Sequence, residues 1–357
     1  MAFNGSGTFV RLYSWITDAA NGLDVSSTRM DADTNDIAAG LSDCVTRDGQ
    51  SPATADIPLG GHKITGLGLG VGATDAASVA NANSLNTCEF RLTLTTAVPV
   101  TTADVIGATT VYCSPYKGNR IALFDGTNWN MRTSAEFSIA LGTLVSGKAY
   151  DVFCYDNSTV PTLELLVWTN DTTRATALAL QNGVLSKTGA LTRRYLGTFY
   201  TTSTTQTEDS LAKRYLYNYY NRVRRPCFIQ PSNNYTYTTL TIRQANGSAA
   251  SQLNILQGMA EDLVSADICF DIANTNVGVE CDVGVGLDST TTFATGQPVG
   301  VAFSTVANQR VSARASYRAV PAAGRHALTW LEESAATGTT TWNTNGLNMG
   351  MFGEIMG

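Results

Sequence analysis

Residues 277–287 read Val-Gly-Val-Glu-Cys-Asp-Val-Gly-Val-Gly-Leu. Val277, Val279, Cys281, Val283, Val285 and Leu287 recur at every second position, so an extended chain presents all of them on one face. A helix does not gather such a set, because its neighbours are three and four residues apart. Gly278, Gly284 and Gly286 stand on the opposite face, where missing side chains allow close packing or the approach of another backbone. The stretch reads as a β-strand, and the same period recurs on both sides of it.

Towards the N-terminus, Arg91–Thr95, Thr109–Cys113, Ile121–Phe124, Ala149–Tyr155, Thr162–Trp168 and Arg194–Tyr200 alternate or are rich in β-branched and aromatic residues. Asp125-Gly126 between Ile121–Phe124 and Asn128–Arg132 is a hairpin signal. Leu211–Tyr220 fits either helix or strand by pattern, and its aromatic content favours strand. Tyr235–Arg243, Gln309–Ala319 and Gly324–Glu332 continue the series. Turn signals recur roughly every 8–12 residues, the spacing of a sandwich or barrel. Pro226 and Pro231 mark a joint. The last residues, 347–357, are apolar with almost no charge, so they are expected to be buried as a strand at a subunit interface.

Composition agrees. Charged residues make up 15% of the 357 residues, against about 25% in ordinary soluble domains. Thr, Ser, Asn and Gly supply the polarity instead, and these favour strands and turns over helix interiors. A net charge of −6 argues against nucleic acid as a partner, since phosphate binding needs concentrated Lys and Arg. Cysteines 44, 88, 113, 154, 227, 269 and 281 form no CxxC pair and read as reduced, buried small hydrophobes of a chain made in a cytosol. The opening MAFNGSGTFV lacks a basic n-region and an apolar core, so no secretion signal is expected. No run of about 20 apolar residues suggests a membrane span.

Residues 1–86 carry the clear helical signals. Tyr13–Ile16 before Asn21-Gly22 suggests a short helix or turn. Ser26-Ser27-Thr28 offers an N-cap, and Met30, Ile37 and Leu41 share a face at helical spacing. Gly40 is expected to end that helix. Next come an Arg47-Asp48-Gly49-Gln50 turn, an extended run to Ile57-Pro58-Leu59, and a Gly60-Gly61 kink. Residues 66–84 read as a linker, with a small-residue helix around 75–82. This part has too few large apolar residues for a core of its own, so it reads as a docking element completed by another chain.

Candidate chemistry fails on its diagnostic positions. Asp31-Ala-Asp33-Thr-Asn35 imitates the start of a calcium loop, but position six is Asp36 and position twelve is Ser42, where Gly and Glu are required. Gly66-Leu-Gly68-Leu-Gly70-Val-Gly72 has no preceding strand and no βαβ unit for a dinucleotide site. His62 and His326 stand with no Gly-x-Ser-x-Gly elbow, and both read as structural. Glu164, Glu208-Asp209 and Glu261-Asp262 are the acids that could serve a glycosidase, whose carboxylate separation sequence does not reveal. Arg222, Arg224 and Arg225 follow the aromatic run Tyr215–Tyr220, a pairing that can bind sugar or nucleic acid. They are expected instead to pair with acids of a neighbouring chain. Catalytic residues, cofactor and metal are all expected to be none.

Five segments together carry a resemblance: Phe3-Asn-Gly-Ser-Gly-Thr-Phe9, Arg29-Met-Asp-Ala32, Ile37-Ala-Ala-Gly-Leu-Ser42, Thr46-Arg-Asp-Gly-Gln50 and Ile57-Pro-Leu-Gly-Gly-His-Lys-Ile-Thr-Gly-Leu67. Over about the first quarter of the chain this resembles the virion-anchoring segment of tailed-phage fibre proteins. Pro115–Gly126 and Trp168–Leu178 resemble β-modules of phage structural proteins. The resemblance implies a homotrimer with its N-terminus on the virion and its C-terminal domains distal. No collagen-like or coiled-coil shaft is present, which implies a short fibre or spike.

The resulting expectation is a mainly β chain. A small helical and extended anchor (1–86) precedes two antiparallel, jelly-roll-like β-sandwich domains (87–225 and 226–357), assembled as a homotrimer. Arg47, Asp48, Gly49, Ile57, Leu59 and Ile64 would dock on tail, collar or adaptor proteins. Val283, Val285, Met349, Phe352 and Ile355 would form the trimer interface. The distal domain would contact a bacterial surface glycan or protein, and the chain, made in the host cytoplasm, would reside in the virion. The alternatives are a head fibre, neck appendage or capsid decoration, then a glycan-depolymerase tailspike. A secreted cellular adhesin is disfavoured by the missing signal.

Overall fold

The computed structural model describes residues 11–42, 53, 56–57, 59–67, 86–231, 233–344 and 349–357. The chain divides into two compact units, Met1–Gly68 and Leu69–Gly357. It is mainly β, and among the described residues the α-helices are confined to the first unit.

In the first unit, helix α1 (Trp15–Ala20) stops at Asn21-Gly22, where Gly22 adopts φ +67°. Helix α2 (Ser27–Ser42) begins after Ser26, whose Oγ accepts the Arg29 N–H at 3.2 Å and satisfies one of the helix's open donors. Arg29 joins the two helices. It pairs with Asp18 at 2.6 Å and stacks 4.3 Å above the Tyr13 ring. Gly40 does not end α2, contrary to expectation. It is a buried residue inside the helix, which runs on to Ser42 with the Ser42 hydroxyl bonded back to Ala38 O at 2.8 Å. Gly60 and Gly61 adopt φ +57° and +84°, and the His62 N–H closes the turn on Leu59 O at 2.9 Å. The kink therefore needs glycine at both positions.

The second unit holds two hydrophobic cores. In the first, Ala190–Tyr200 lies between Ala149–Asn157 and Val184–Lys187, with Val160–Val167 and Leu178–Gln181 outermost. The smaller sheet Phe90–Thr93, Thr110–Pro115, Phe137–Ala140 and the hairpin Arg120–Phe124/Trp129–Thr133 complete this region. Phe90, Val111, Ile121, Val152 and Phe199 are among its buried residues. The hairpin turn forms where Asp125-Gly126 indicates. The Asp125 carboxylate accepts the Thr127 and Asn128 N–H groups, both at 2.8 Å, and Gly126 has φ +109°.

In the second core, two sheets contribute alternate residues. Val264–Asn274 supplies Ala266, Ile268, Phe270 and Ile272, while Val279–Leu287 and Gly324–Glu333 supply Val283, Val285, Leu328 and Trp330. Strand Val279–Leu287 starts two residues later than its sequence period, because Gly278 turns at φ +71° and leaves Val277 exposed. Its glycine face is filled by the chain itself. A Cβ on Gly284 would lie 2.3 Å from the Phe293 ring, and one on Gly286 would lie 2.5 Å from Ser289 O.

The two cores share a sheet. Lys213–Arg214 pairs in parallel with Gln252–Gln257, and Thr207–Asp209 pairs with Val105–Ala108 at its margin. Leu211–Tyr220 forms short strands, Lys213–Arg214 and Leu216–Asn218, with Tyr215, Leu216 and Tyr217 buried. Tyr235–Arg243 is less regular than its alternation: only Tyr235–Tyr237 and Arg243–Gln244 are strands. The apolar end forms Gly350–Met356, which is hydrogen-bonded to Arg224–Ile229 on one side and Val264–Asn274 on the other. Both of its edges are thus occupied by its own chain.

Candidate functional site

Of the expected docking residues, Arg47, Asp48 and Gly49 lie outside the described residues, as do residues 68–84 of the expected linker. Ile57, Leu59 and Ile64 are exposed at 57%, 43% and 61%. The Met30, Ile37 and Leu41 stripe of α2 is exposed as well, and Asp33 and Gly40 are the residues α2 buries. An amphipathic helix normally turns its apolar stripe inward. Here the first unit leaves that stripe and the following extended segment uncovered.

Of the expected interface residues, Val283, Val285, Met349 and Ile355 are buried in the second core of a single chain. Hydrophobic burial has already been satisfied there, and these side chains have no free face for another copy. Phe352 differs: it is 37% exposed and lies 4.9 Å, ring to ring, from Phe228.

Phe352 belongs to an ordered outer face. Strand register places Phe228, Phe352, Asp267 and Ser316 in one row across four strands. The next row is Gly350, Cys269 and Arg314, and the row on the other side is Pro226, Glu354, Ser265 and Arg318. Arg318 holds Asp267 at 2.6 Å. Asp267, Cys269, Arg314 and Ser316 line a shallow hollow beside the aromatic pair. Arg314 is exposed, and its side chain makes no ion pair or hydrogen bond among the described residues. Cys269 is the one half-buried cysteine there, while Cys88, Cys113, Cys154, Cys227 and Cys281 are buried free thiols.

The acids that could serve a glycosidase are engaged. Glu164 accepts from Lys187 at 2.6 Å and Arg193 at 2.8 Å. Burial pushes its carboxyl up, but these two cations outweigh that and leave it below its ordinary value. Glu208 pairs with Lys213 at 3.0 Å, and Asp209 with Arg225 at 2.7 Å. Glu261 and Asp262 both hold Arg222. A glycosidase acid needs a raised pKa to stay protonated, and at Glu164 the two cations act in the opposite direction. The same contacts correct the expectation for the arginine cluster: Arg222, Arg224 and Arg225 pair with Glu261 and Asp262, Glu354, and Asp209 of their own chain. Folding across the joint brings these acids from distant positions, which spacing alone does not reveal. Among the described residues no group of three or more His, Cys, Asp or Glu side chains could hold a metal ion.

His326 is a structural clamp. Its Nδ1 lies 2.7 Å from Asp288 Oδ2 and its Nε2 lies 2.9 Å from Ala322 O. Two acceptors suit the doubly protonated ring. Burial lowers the imidazole pKa, but the bonds to Asp288 and Ala322 outweigh it, and the net direction is up. A raised histidine pKa stabilises the fold below the unfolded value of about 6.5, and this contribution is lost as pH rises through the folded value. The wild-type melting temperature should therefore fall between pH 6 and pH 8.5 by more than that of His326→Gln. Equal slopes for the two proteins in a thermal-melt series would contradict this.

Two features escaped sequence reasoning. One is the aromatic row, whose Phe228 and Phe352 are 124 positions apart and meet only through strand register. The other is Glu332, fully buried and bonded to Tyr235 at 2.6 Å and Arg243 at 2.8 Å. Period-two spacing puts Glu332 on the face of Leu328 and Trp330, so its burial could have been read from the strand.

No family model matches the chain, and no curated protein matches it. Among solved structures, one similar chain is a Bacillus thuringiensis Cry1Da tryptic core variant, at 10% identity and a TM-score of 0.20, with 70% of this chain and 48% of that chain covered. The chain thus spans about half the length of that structure. Another is from the infectious bursal disease virus Gx strain, at 8% identity and a TM-score of 0.20, with 72% and 76% covered.

Proposed function

We propose that this chain is a non-enzymatic structural component of a tailed-phage virion, a short homotrimeric fibre. Its first unit docks on tail, collar or adaptor proteins, and its β unit contributes to attachment at a bacterial surface. The observation that carries this reading is the contrast between the units. The β unit builds two apolar cores from its strands, although it also exposes Ile106, Leu180 and Phe303, whereas the described residues of the first unit bury no large apolar side chain and leave Met30, Ile37, Leu41, Ile57, Leu59 and Ile64 exposed. Apolar side chains uncovered in one segment mark a surface that another chain covers. The resemblance of residues 3–67 to fibre anchors names the chemistry of that partner.

A catalytic role has less support. The acids suited to glycan cleavage are held by Lys and Arg, and His326 is occupied by Asp288 and Ala322. Self-association through the exposed residues of the first unit fits the trimer reading better than the buried Val283, Val285, Met349 and Ile355 do. Peptide mass spectrometry of purified virions of the encoding phage tests the assignment. Recovery of peptides from both units at a stoichiometry that is a multiple of three supports it, and their absence from virions refutes it.

A further inference from the structure

We propose that the outer face built by Phe228, Phe352, Asp267, Ser316, Cys269 and Arg314 binds an acidic saccharide, with a sugar ring on the aromatic pair and the carboxylate or sulfate on Arg314. This rests on the attachment reading above and names the ligand class and the site.

Three observations converge on it. First, Phe352 is exposed beside Phe228 on a face that also carries Asp267, Ser316, Arg314 and Arg318. An aromatic pair in that setting offers an apolar platform, and a sugar ring presents an apolar face to it while its hydroxyls stay available to neighbours. Second, Asp267 stands next to Phe352 and Ser316 next to Asp267 along one row. Neighbouring strands are about 4.8 Å apart, so these oxygens lie within reach of the hydroxyls of a ring seated on Phe352. Arg318 fixes the Asp267 carboxylate at 2.6 Å.

Third, Arg314 is a cation without an acid. Arg222, Arg225 and Arg318 each hold a carboxylate, but Arg314 holds none among the described residues and lines the hollow. By strand spacing and rise it stands roughly 12 Å from Phe352 along the sheet, a separation that a disaccharide and the arginine side chain together span. A guanidinium suits carboxylate and sulfate through paired N–H donors. A neutral glycan would leave it unused. The net charge of −6 makes a local unpaired arginine the feature that selects an anionic group. Gly350 stands in the row of Cys269 and Arg314, where a side chain would meet Ile229 O and the Phe228 ring. The platform thus depends on a glycine.

The test uses the full-length protein with digalacturonate, a chondroitin disaccharide and sialyllactose as probes, and lactose as the neutral control. Ligand-observed NMR should detect at least one acidic probe binding about tenfold more tightly than lactose, and affinity should fall with added salt. Arg314→Gln and Phe352→Ala should each weaken that probe about tenfold, while Arg314→Lys should retain part of the affinity. The Arg314 side chain is exposed, so the melting temperature of Arg314→Gln should be unchanged, while Phe352→Ala, which loses its packing on Phe228, should melt only a few degrees lower. The same probe should slow alkylation of Cys269. Three results overturn the proposal: no acidic probe binding above lactose, binding insensitive to both substitutions, or conversion of an oligomer to monomers by Phe352→Ala, which would make the face a contact between copies. If the probes fail while the wild-type protein still adsorbs to host cells, this site is wrong and the attachment reading stands. If neither occurs, the attachment reading falls with it.

Discussion

Glu332→Ala should destabilise the β unit by about 3–5 kcal/mol, the cost of breaking a buried ion pair by removing one partner. Glu332 is fully buried and holds three groups: the Arg243 guanidinium, the Tyr235 hydroxyl at 2.6 Å, and the Asn246 N–H at 3.1 Å. Burial pushes its carboxyl up in spite of these donors. Alanine leaves all three donors without their acceptor and opens a cavity next to Tyr235, whose ring stacks on Trp342. Asn246 sits at φ +55°, and its N–H bond is one of the contacts holding that turn. At roughly 2–4 °C per kcal/mol for a domain of this size, the melting temperature should drop by about 10 °C. Glu332→Gln keeps most of the hydrogen-bonding shape and should cost less than half as much. Chemical denaturation of the three proteins decides it; a loss under 1 kcal/mol for alanine would contradict the structural role.

The triple variant Ile57→Asp, Leu59→Asp, Ile64→Asp should leave the folding of the β unit intact and abolish incorporation into virions. All three side chains are exposed in the chain by itself, so aspartate meets water there and costs little. Docked, each aliphatic side chain would contribute roughly 1.5–3 kcal/mol on burial, and an unpaired carboxylate in its place adds a desolvation penalty. The summed loss exceeds about 4 kcal/mol, which at ~1.4 kcal/mol per tenfold lowers occupancy by about a thousandfold or more. Quantitative immunoblots of purified virions, with the unfolding curve of the soluble protein as control, measure both halves. A variant that folds and still incorporates at the wild-type level would remove these residues from the docking surface.

Local signals carried most of the fold. Period-two apolar spacing located Val279–Leu287, and Asp125-Gly126 located the hairpin, because both depend on residues adjacent in sequence. The helical stripe of Met30, Ile37 and Leu41 was legible for the same reason. Alternation identifies an apolar face but not the partner that covers it. Val283, Val285, Met349 and Ile355 were therefore assigned to a second copy, when sheets within the same chain bury them. The arginines of residues 222–225 were likewise given acids in another chain, because Asp209, Glu261 and Asp262 reach them only after the strands assemble. Gly278 broke its strand early, since a positive φ is set by the turn and leaves no mark on the apolar period. The face of Phe228, Phe352 and Arg314 was not legible at all, because it is assembled from four strands whose order is a tertiary property.

We propose that the first unit is a docking element covered by another virion protein. An asymmetric reconstruction of the intact virion tests it most directly, at a resolution that traces residues 57–67. Ile57, Leu59 and Ile64 should be buried against a tail, collar or adaptor chain, with three copies of this protein around the site. The same residues exposed to solvent, or the protein found on the capsid shell, would contradict the account.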